Sequence, residues 1–199
     1  MVGGPTTPIG QDVERVYSVR EVIGKDAKLR VDANAAWTLE QALEFAVEAA
    51  DANLEFCEQP LPAANLEGLA TIRRRTGLKI AVDEGVRTAA DIGRVAAAQA
   101  ADVVVLKPMF LGGWRPTSQA TQLARSCGLD VIITTALEGA VGRAHATHYA
   151  AGLGLTGRAH GLATGSLLTQ DLTASPLVVN SGHIRLPTRA GLGIGSLIG

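Results

Sequence analysis

The feature that most constrains this chain is a charged residue that recurs at the end of short apolar segments. The segments read KLRVD, LEFCE, KIAVD and VVVLK, and they end at Asp32, Glu58, Asp83 and Lys107. Neighbouring ends lie 24 to 26 residues apart. A parallel pair of strands needs a helical crossover of about this length. The spacing therefore predicts repeated strand–helix units, each strand ending in a charged residue.

Periodicity extends this pattern along the chain. Strands are predicted over residues 28–32, 54–58, 79–83, 103–107, 130–135 and 159–162, and a helix over about 11–23 precedes the first of them. Thr38 with Gln41, and Thr88 with Asp91, have the spacing of capping boxes that begin helices. In the first of these helices the predicted apolar face comprises Leu39, Leu43, Ala46, Val47 and Ala50. Pro116 marks a first helical turn, and Gly128 marks a helix end.

These units predict an α/β fold of a particular kind, a partial (β/α) TIM-type barrel. An open doubly wound sheet is the alternative that the pattern alone leaves open. Against it, the glycines of GLGLTG and GLGIG lack the strand-to-helix setting that a dinucleotide-binding loop requires.

Composition excludes several classes of function. The chain of 199 residues carries a net charge of −1 and lacks a long basic run, which argues against nucleic-acid binding. No segment approaches the roughly 20 apolar residues of a membrane span, so we expect a cytoplasmic protein without a membrane partner. Cys57 and Cys127 are too isolated for a zinc site or a disulfide scaffold.

The charged strand ends predict a metal site. The carboxyl ends of neighbouring parallel strands meet at one mouth of a barrel, so Asp32, Glu58 and Asp83 should converge there. Three carboxylates repel one another unless a cation neutralises them, and oxygen ligands suit Mg²⁺ or Mn²⁺. Lys107, at the fourth strand end, could stabilise a developing enolate or move a proton.

Two polar residues next to the predicted metal ligands can be interpreted in two ways. Asn34 and Glu84 either orient the metal ligands or are ordinary polar groups of exposed loops.

Four motifs together resemble a known family. VDANAAW, CEQP, VDEG and VLKP, in this order and spacing, resemble the barrel domain of the enolase superfamily, in its muconate-lactonizing branch. The resemblance covers residues 1–199 as one barrel domain, incomplete at its N-terminus, with a closing hairpin and tail at 176–199. It implies that Asp32, Glu58 and Asp83 bind Mg²⁺ and that Lys107 is catalytic.

Within this branch, the segments LKPMFLGGW, TTALEGAVGR and HGLATG are most similar to the o-succinylbenzoate synthases. The resemblance implies a small-molecule carboxylate substrate, a cyclohexadiene carboxylate that is dehydrated through an enediolate in menaquinone biosynthesis. It also implies that Thr134, Thr135 and Thr164 contact the substrate's succinyl chain. N-acylamino acid racemases and dipeptide epimerases share the site and are the alternative.

The chain departs from the family at its beginning. Relatives carry a Lys-x-Lys pair whose second lysine is the base, whereas this chain starts MVGG and has no basic residue before Arg15. The capping domain and the first barrel strands are also missing. We expect a fragment of a longer enzyme rather than a remnant that has lost its base, and a catalytically inactive fragment is a third reading. An open barrel edge would promote association of copies.

Overall fold

A computed structural model describes residues 1–4, 7–155, 157–188 and 190–197. Strands and helices alternate along these ranges. The strands are β1 (Leu29–Asp32), β2 (Leu54–Glu58), β3 (Ile80–Val82), β4 (Val103–Leu106) and β5 (Asp130–Ile133). The helices are α1 (Ile9–Ile23), α2 (Leu39–Glu48), α3 (Leu66–Thr76), α4 (Ala89–Ala97), α5 (Pro108–Leu111), α6 (Trp114–Ser126) and α7 (Ala140–Gly152).

The sheet follows the order of the chain. Its strand order is β1-β2-β3-β4-β5, and the pairs β1–β2, β2–β3 and β3–β4 are parallel. A doubly wound sheet reverses its strand order part-way, so that alternative is wrong. The predicted α/β class and the five strand–helix steps are confirmed.

Two compact units divide the chain. The first comprises Met1–Val104 and Leu123–Asp130, and the second comprises Val105–Gln122 and Val131–Gly199. Large side chains that are almost fully excluded from solvent form the core of the first unit: Phe45, Phe56, Leu69, Ile72, Ile80 and Ile92. In the second unit, Leu106 and Ile133 are fully buried, and the Trp114 and Tyr149 rings pack 4.9 Å apart.

Both predicted capping boxes are confirmed in the first unit. At the start of α2, the Gln41 N–H donates to Thr38 Oγ1 (3.3 Å) and the Thr38 N–H donates to Gln41 Oε1 (2.9 Å). At the start of α4, Asp91 Oδ2 accepts from the Thr88 N–H (2.7 Å) and hydroxyl (2.9 Å). Such caps satisfy N–H groups that have no partner inside the helix.

The predicted apolar face of α2 is partly wrong. Phe45 is fully buried and its ring lies 4.5 Å from that of Trp37, whereas Val47 is 69% exposed and Ala50 is exposed. The aromatic contact sets the rotation of the helix, because the largest side chain gains most from burial. Ala42 therefore lies on the buried face.

Three strand predictions, over 79–83, 103–107 and 130–135, extend too far, and β5 ends at Ile133. β3 ends at Val82 and β4 ends at Leu106, so Asp83 and Lys107 begin the loops that follow. The strand predicted over 159–162 is wrong, since only Gly161 forms a bridge there, with Thr134. The short helix α5 was not predicted.

The predicted closing hairpin at 176–199 has one described turn. Asn180 and His183 form an antiparallel bridge through both main-chain hydrogen bonds (2.8 and 2.9 Å). Arg189, Ile198 and Gly199 of this segment lie outside the described residues. None of the described helices combines the length and apolar character needed to cross a bilayer.

Candidate functional site

The pairing of strands in the first unit brings the predicted acidic residues to one edge of the sheet. Asp32 and Glu58 are register partners at the ends of β1 and β2. Glu58 is in turn the register partner of Ala81 in β3, and Asp83 follows two residues later. Adjacent strands lie about 4.8 Å apart. The backbone therefore places three carboxylates on successive strand ends.

The turn after β1 makes a hydrogen bond to the Asp32 carboxylate. The Asn34 N–H donates to Asp32 Oδ1 (2.9 Å). Asn34 and Ala35 have positive φ angles of 47° and 59°, which non-glycine residues adopt rarely. The turn is fixed to the next strand because the Ala35 N–H donates to the Gln59 carbonyl (2.7 Å). Asn34 thus orients a predicted metal ligand through its main chain.

Gln59, the residue after Glu58, contacts the main chain of Asp83 in the loop after β3, and the sequence did not predict this role. Its side chain is fully buried; Nε2 donates to the Leu61 carbonyl (2.7 Å) and Oε1 accepts from the Asp83 N–H (3.1 Å). Its φ of 36° is in the left-handed region. An unexpected backbone conformation combined with a buried amide is typical of a residue that fixes a site. The CEQP motif contains Gln59, but the motif does not indicate which groups its side chain contacts.

The electrostatics of Asp32 show that the acidic residues influence one another. Burial raises the pKa of Asp32 above its ordinary value, the Asn34 N–H opposes this, and the negative charge of Asp83 adds to the rise. Burial, followed by the charges of Asp32 and Glu58, likewise raises the pKa of the fully buried Cys57 thiol. The charge of Asp83 therefore contributes to the raised pKa of Asp32, and the charges of Asp32 and Glu58 contribute to the raised pKa of Cys57.

The donor set fits a hard divalent cation by its chemistry. Asp32, Glu58 and Asp83 offer carboxylate oxygens only, which Mg²⁺ prefers. Within the described ranges, however, no three acidic, histidine or cysteine side chains are arranged as a finished metal cluster. Side chains of like charge separate unless a cation lies between them. The backbone thus places the three acidic residues on neighbouring strand ends, and binding of a cation would require their carboxylates to turn towards one another.

Lys107 belongs to the second unit, at the residue before α5. Its Nζ lies 5.8 Å from the centre of the Phe110 ring, and its side chain is half-buried. Pro108 occupies the first position of α5, where its missing N–H costs nothing. The proline therefore ends β4 and turns the chain directly after the predicted catalytic lysine.

The predicted substrate-binding threonines come together in the second unit. Thr135 Oγ1 lies 2.9 Å from Thr164 Oγ1, and Thr164 Oγ1 donates to the Ala136 carbonyl (3.1 Å). Thr134 Oγ1 and Thr135 Oγ1 both donate towards the Gly161 carbonyl (2.9 and 3.1 Å). These hydroxyl contacts join two loops. Because each hydroxyl has one hydrogen, either Thr135 or Thr164 donates across their 2.9 Å contact in place of its bond to a loop carbonyl.

A buried arginine, Arg143, holds the same region of the chain, and no local sequence pattern predicts its contacts. Arg143 Nη1 donates to the Glu138 carbonyl (2.7 Å), and Arg143 Nη2 pairs with Asp171 Oδ2 (2.5 Å). Asp171 Oδ1 accepts from the Ala140 N–H (2.7 Å). The Arg143 guanidinium, through its hydrogen bond, lowers the pKa of Asp171. A charge-assisted pair of this kind fixes loop positions across about 30 residues of sequence.

His160 is also a structural residue. Its Nδ1 accepts from the Ile133 N–H (3.2 Å), and its Nε2 lies 2.6 Å from the Leu155 carbonyl. This arrangement requires the proton on Nε2. The imidazole therefore holds the end of β5 to the chain after α7.

Fold and site together define a class: a parallel α/β protein whose successive strand ends place acidic residues along one edge of the sheet. The sequence matches the Enolase C-terminal domain-like family over residues 1–196, and the chain belongs to that family.

Relatives with known names narrow the comparison. The chain is 42% identical over 178 residues to the o-succinylbenzoate synthase of Thermobifida fusca, and 40% identical over 184 residues to that of Mycobacterium tuberculosis. These matches cover 89% and 92% of this chain but 54% of each relative. The chain thus spans about half the length of the curated relatives that it matches.

Solved structures agree on the fold. The L-Ala-D/L-Glu epimerase of Bacillus subtilis superposes with a TM-score of 0.89 at 26% identity, covering 98% of this chain and 54% of that one. The muconate lactonizing enzyme of Pseudomonas putida gives 0.86 at 28% identity, with the same coverage. The dipeptide epimerase of Enterococcus faecalis, complexed with Mg and L-Leu-L-Tyr, gives 0.88 at 31%, covering 97% and 54%. The predicted partial TIM-type barrel of the enolase superfamily is confirmed.

Proposed function

We propose that this chain is the barrel part of an o-succinylbenzoate synthase, a lyase of menaquinone biosynthesis. The proposed reaction dehydrates 2-succinyl-6-hydroxy-2,4-cyclohexadiene-1-carboxylate to o-succinylbenzoate in the cytoplasm. The identity of about 40% with o-succinylbenzoate synthases over nine tenths of the chain carries the proposal.

The metal in this proposal is Mg²⁺, held by Asp32, Glu58 and Asp83. Register pairing of Asp32 with Glu58, and the effect of Asp83 on the pKa of Asp32, support a shared ion at these strand ends. The Enterococcus faecalis dipeptide epimerase was solved with Mg, which supports the choice of metal. When bound, Mg²⁺ would withdraw electrons from the substrate carboxylate and so acidify the neighbouring C–H bond.

The chain's own residues have distinct roles in the proposal. Lys107 carries a positive charge that would stabilise the enediolate formed when the proton leaves. Asn34 and Gln59 would hold Asp32 and Asp83 through the hydrogen bonds described above. Glu84, next to Asp83, would orient that ligand. The base that removes the proton is, in this proposal, a lysine outside residues 1–199.

Substrate contacts are assigned to Thr134, Thr135 and Thr164. Each of these hydroxyls has one hydrogen and two lone pairs, which would be shared between the loop contacts and a substrate group. Pairing of two copies through the edge of the sheet is a further proposal, because strand edges present unpaired main-chain groups.

The epimerase structures favour a second candidate. The Bacillus subtilis and Enterococcus faecalis epimerases superpose as well as the muconate lactonizing enzyme does. In an N-acylamino acid racemase or dipeptide epimerase, Lys107 would exchange a proton with the α-carbon instead of stabilising charge.

One experiment separates these functions. The chain would be assayed alone and joined to the part of the Thermobifida fusca relative that its match does not cover. We expect the joined protein, and not the chain alone, to convert the cyclohexadiene acid. Turnover of an N-acylamino acid or a dipeptide with none of the cyclohexadiene acid would replace the lyase by an isomerase.

Metal binding can be measured independently of enzyme activity. When Mn²⁺ is added to the chain alone, binding should reduce the electron paramagnetic resonance signal of the free ion. Asp83→Asn should weaken Mn²⁺ binding at least tenfold. Asp51→Asn, which changes an exposed aspartate, is the matched control. Equal Mn²⁺ binding by both variants would contradict the proposed ligands.

A further inference from the structure

Asp12, in the first turn of α1, is a buried carboxylate to which the proposed reaction gives no role. Its exposed fraction is 0%, and both of its oxygens have partners. Oδ1 accepts from Arg15 Nη1 (2.5 Å), and Oδ2 accepts from the Gly3 N–H (2.8 Å). An acidic residue favours the start of a helix even when it is exposed. Burial of Asp12 is therefore explained by its bond to the segment before the helix.

The segment that Asp12 holds lies against the end of β1. The Val2 N–H donates to the Asp32 carbonyl (2.8 Å), and the Val2 side chain is buried. Gly3 has a φ of 81°, and a Cβ atom there would lie 2.9 Å from the Ala33 carbonyl oxygen. Glycine permits this conformation and this close approach, which a larger residue would disturb.

Asp32 depends on this segment because of its place in the sheet. Glu58 has register partners on both sides, Asp32 and Ala81, whereas β1 pairs only with β2 among the described strands. The Ala33 N–H donates to the Glu58 carbonyl (3.0 Å). In a trans peptide the carbonyl points the opposite way, so the Asp32 carbonyl faces away from β2, where the Val2 N–H binds it. Val2 thus fixes the side of Asp32 that no described strand holds.

We propose that Asp12 is a positioning residue for the metal ligand Asp32 and acts through Gly3 and Val2. Without the Asp12 carboxylate, the Gly3 N–H loses its acceptor, and the segment that binds the Asp32 carbonyl loses its attachment to α1. This role rests on the proposed function, because it assumes that Asp32 binds the cation. Groups that orient a metal ligand contribute to metal affinity without touching the metal.

The test compares metal affinity with stability in the whole chain. Electron paramagnetic resonance of free Mn²⁺ measures the affinity, and urea unfolding measures the stability. Direct partners of metal ligands typically contribute about 10- to 100-fold in affinity, and Asp12 acts through intervening residues, so we expect Asp12→Ala to weaken Mn²⁺ binding about three- to tenfold. Asp12→Asn should recover most of this affinity, because its amide oxygen can still accept from the Gly3 N–H.

Asp102→Ala is the matched control for a merely structural effect. Asp102 also pairs with an arginine, Arg73 (2.6 Å), and its Oδ2 also accepts a main-chain N–H, that of Ile80 (2.9 Å). Ile80 begins β3, at the opposite end of the strand from the acidic residues. Asp102→Ala should therefore lower the free energy of unfolding and leave the Mn²⁺ affinity of the folded chain unchanged.

A second variant tests the same link if Asp12→Ala does not fold. Gly3→Ala leaves the Asp12 carboxylate intact but brings a Cβ atom against the Ala33 carbonyl, so it should displace the segment and weaken Mn²⁺ binding to a similar extent. Gly10→Ala, in α1, is its control, because an added Cβ atom there meets nothing within 4 Å. It should bind Mn²⁺ as the parent does.

The outcomes separate this role from the metal site itself. If Asp83→Asn weakens Mn²⁺ binding but folded Asp12→Ala and Gly3→Ala bind it as the parent does, the positioning role is wrong and the metal site stands. Equal weakening by Asp12→Ala and Asp102→Ala would also overturn the role, since the effect would then follow stability alone. If the parent binds no Mn²⁺, or Asp83→Asn binds it equally well, the metal site is wrong and the role of Asp12 is wrong with it.

Discussion

The two units position their candidate functional residues by different means. In the first unit, Asp32 and Glu58 are brought together by main-chain register between adjacent strands. In the second, Thr135 and Thr164 are brought together by side-chain hydrogen bonds between residues 29 apart in sequence. Main-chain register survives most substitutions, whereas a side-chain network depends on each of its members. The arrangement of candidate residues in the second unit is therefore more sensitive to substitution than that in the first.

The largest effect is expected at the clamp of the second unit. Arg143→Leu removes the partner of Asp171, which is 16% exposed in its side chain, and leaves a charge in a mostly buried place. Breaking a buried pair in this way costs about 3–5 kcal/mol. Hydrogen exchange should accelerate at residues 134–140 and 161–172, while β1 and β2 remain protected.

The control for this prediction is Arg125→Leu on the exposed surface of α6. If protection from hydrogen exchange fell equally in both units, the clamp would not stabilise the second unit selectively.

A smaller effect is expected at Gln59 in the first unit. Gln59→Leu leaves the buried Asp83 N–H without its acceptor, which costs about 1–3 kcal/mol in the free energy of unfolding. Urea unfolding measures this cost, and Mn²⁺ titration measures the accompanying loss of affinity at Asp83. Gln119→Leu, at an exposed helix position, is the matched control. Unchanged Mn²⁺ affinity in a stable Gln59→Leu variant would remove Gln59 from the site.

The cap of α4 should make stability depend on pH. Burial alone would raise the pKa of Asp91, but hydrogen bonds from the Arg87 N–H, the Arg94 side chain and Thr88 outweigh it and lower the pKa to about 2. A lowered folded-state pKa stabilises the fold above the ordinary value of 3.8, and this stability is lost as the pH falls through about 2.

Unfolding of the parent and of Asp91→Ala should therefore differ by about 1–2 kcal/mol at pH 6 and converge towards pH 2. Asp51→Ala, at an exposed position, should change stability by less than about 0.5 kcal/mol. A difference at Asp91 that does not shrink in acid would mean that its charge has no part in the cap.

The smallest effect is expected on the outer face of α2. Val47 is 69% exposed, so Val47→Ala should change the free energy of unfolding by less than about 0.5 kcal/mol. Phe45→Ala on the buried face should cost about 3–5 kcal/mol. Thermal melts of the pair distinguish the observed rotation of the helix from the one that the sequence predicted.

The sequence predicted most of the first unit because its signals are local. Strand ends, spacing and the capping pairs Thr38–Gln41 and Thr88–Asp91 all lie within a few residues of the structure that they specify. The face of α2 was the exception. Its rotation depends on the contact of Phe45 with Trp37, which lies outside the helix and has no part in its periodicity.

The second unit was less predictable for the same physical reason. Arg143 and Asp171 are 28 residues apart, and nothing near either residue indicates the other. A strand was predicted over 159–162, but one bridge at Gly161 and the hydroxyls of Thr134 and Thr135 hold this segment instead. The roles of Lys107 and the acidic residues were predicted from the strand-end pattern and the family resemblance, and those of the threonines from the resemblance alone; all of them stay predictions.

Because the strands pair in the order in which they occur along the chain, the sheet can form stepwise during synthesis. Because β1 pairs with β2 and β2 with β3, each pairing joins segments separated by only one helix. Short separations close quickly, since the entropy lost on forming a loop grows with its length. During synthesis, each new strand can therefore add to the one before it as it leaves the ribosome, and the sheet can grow in the direction of translation.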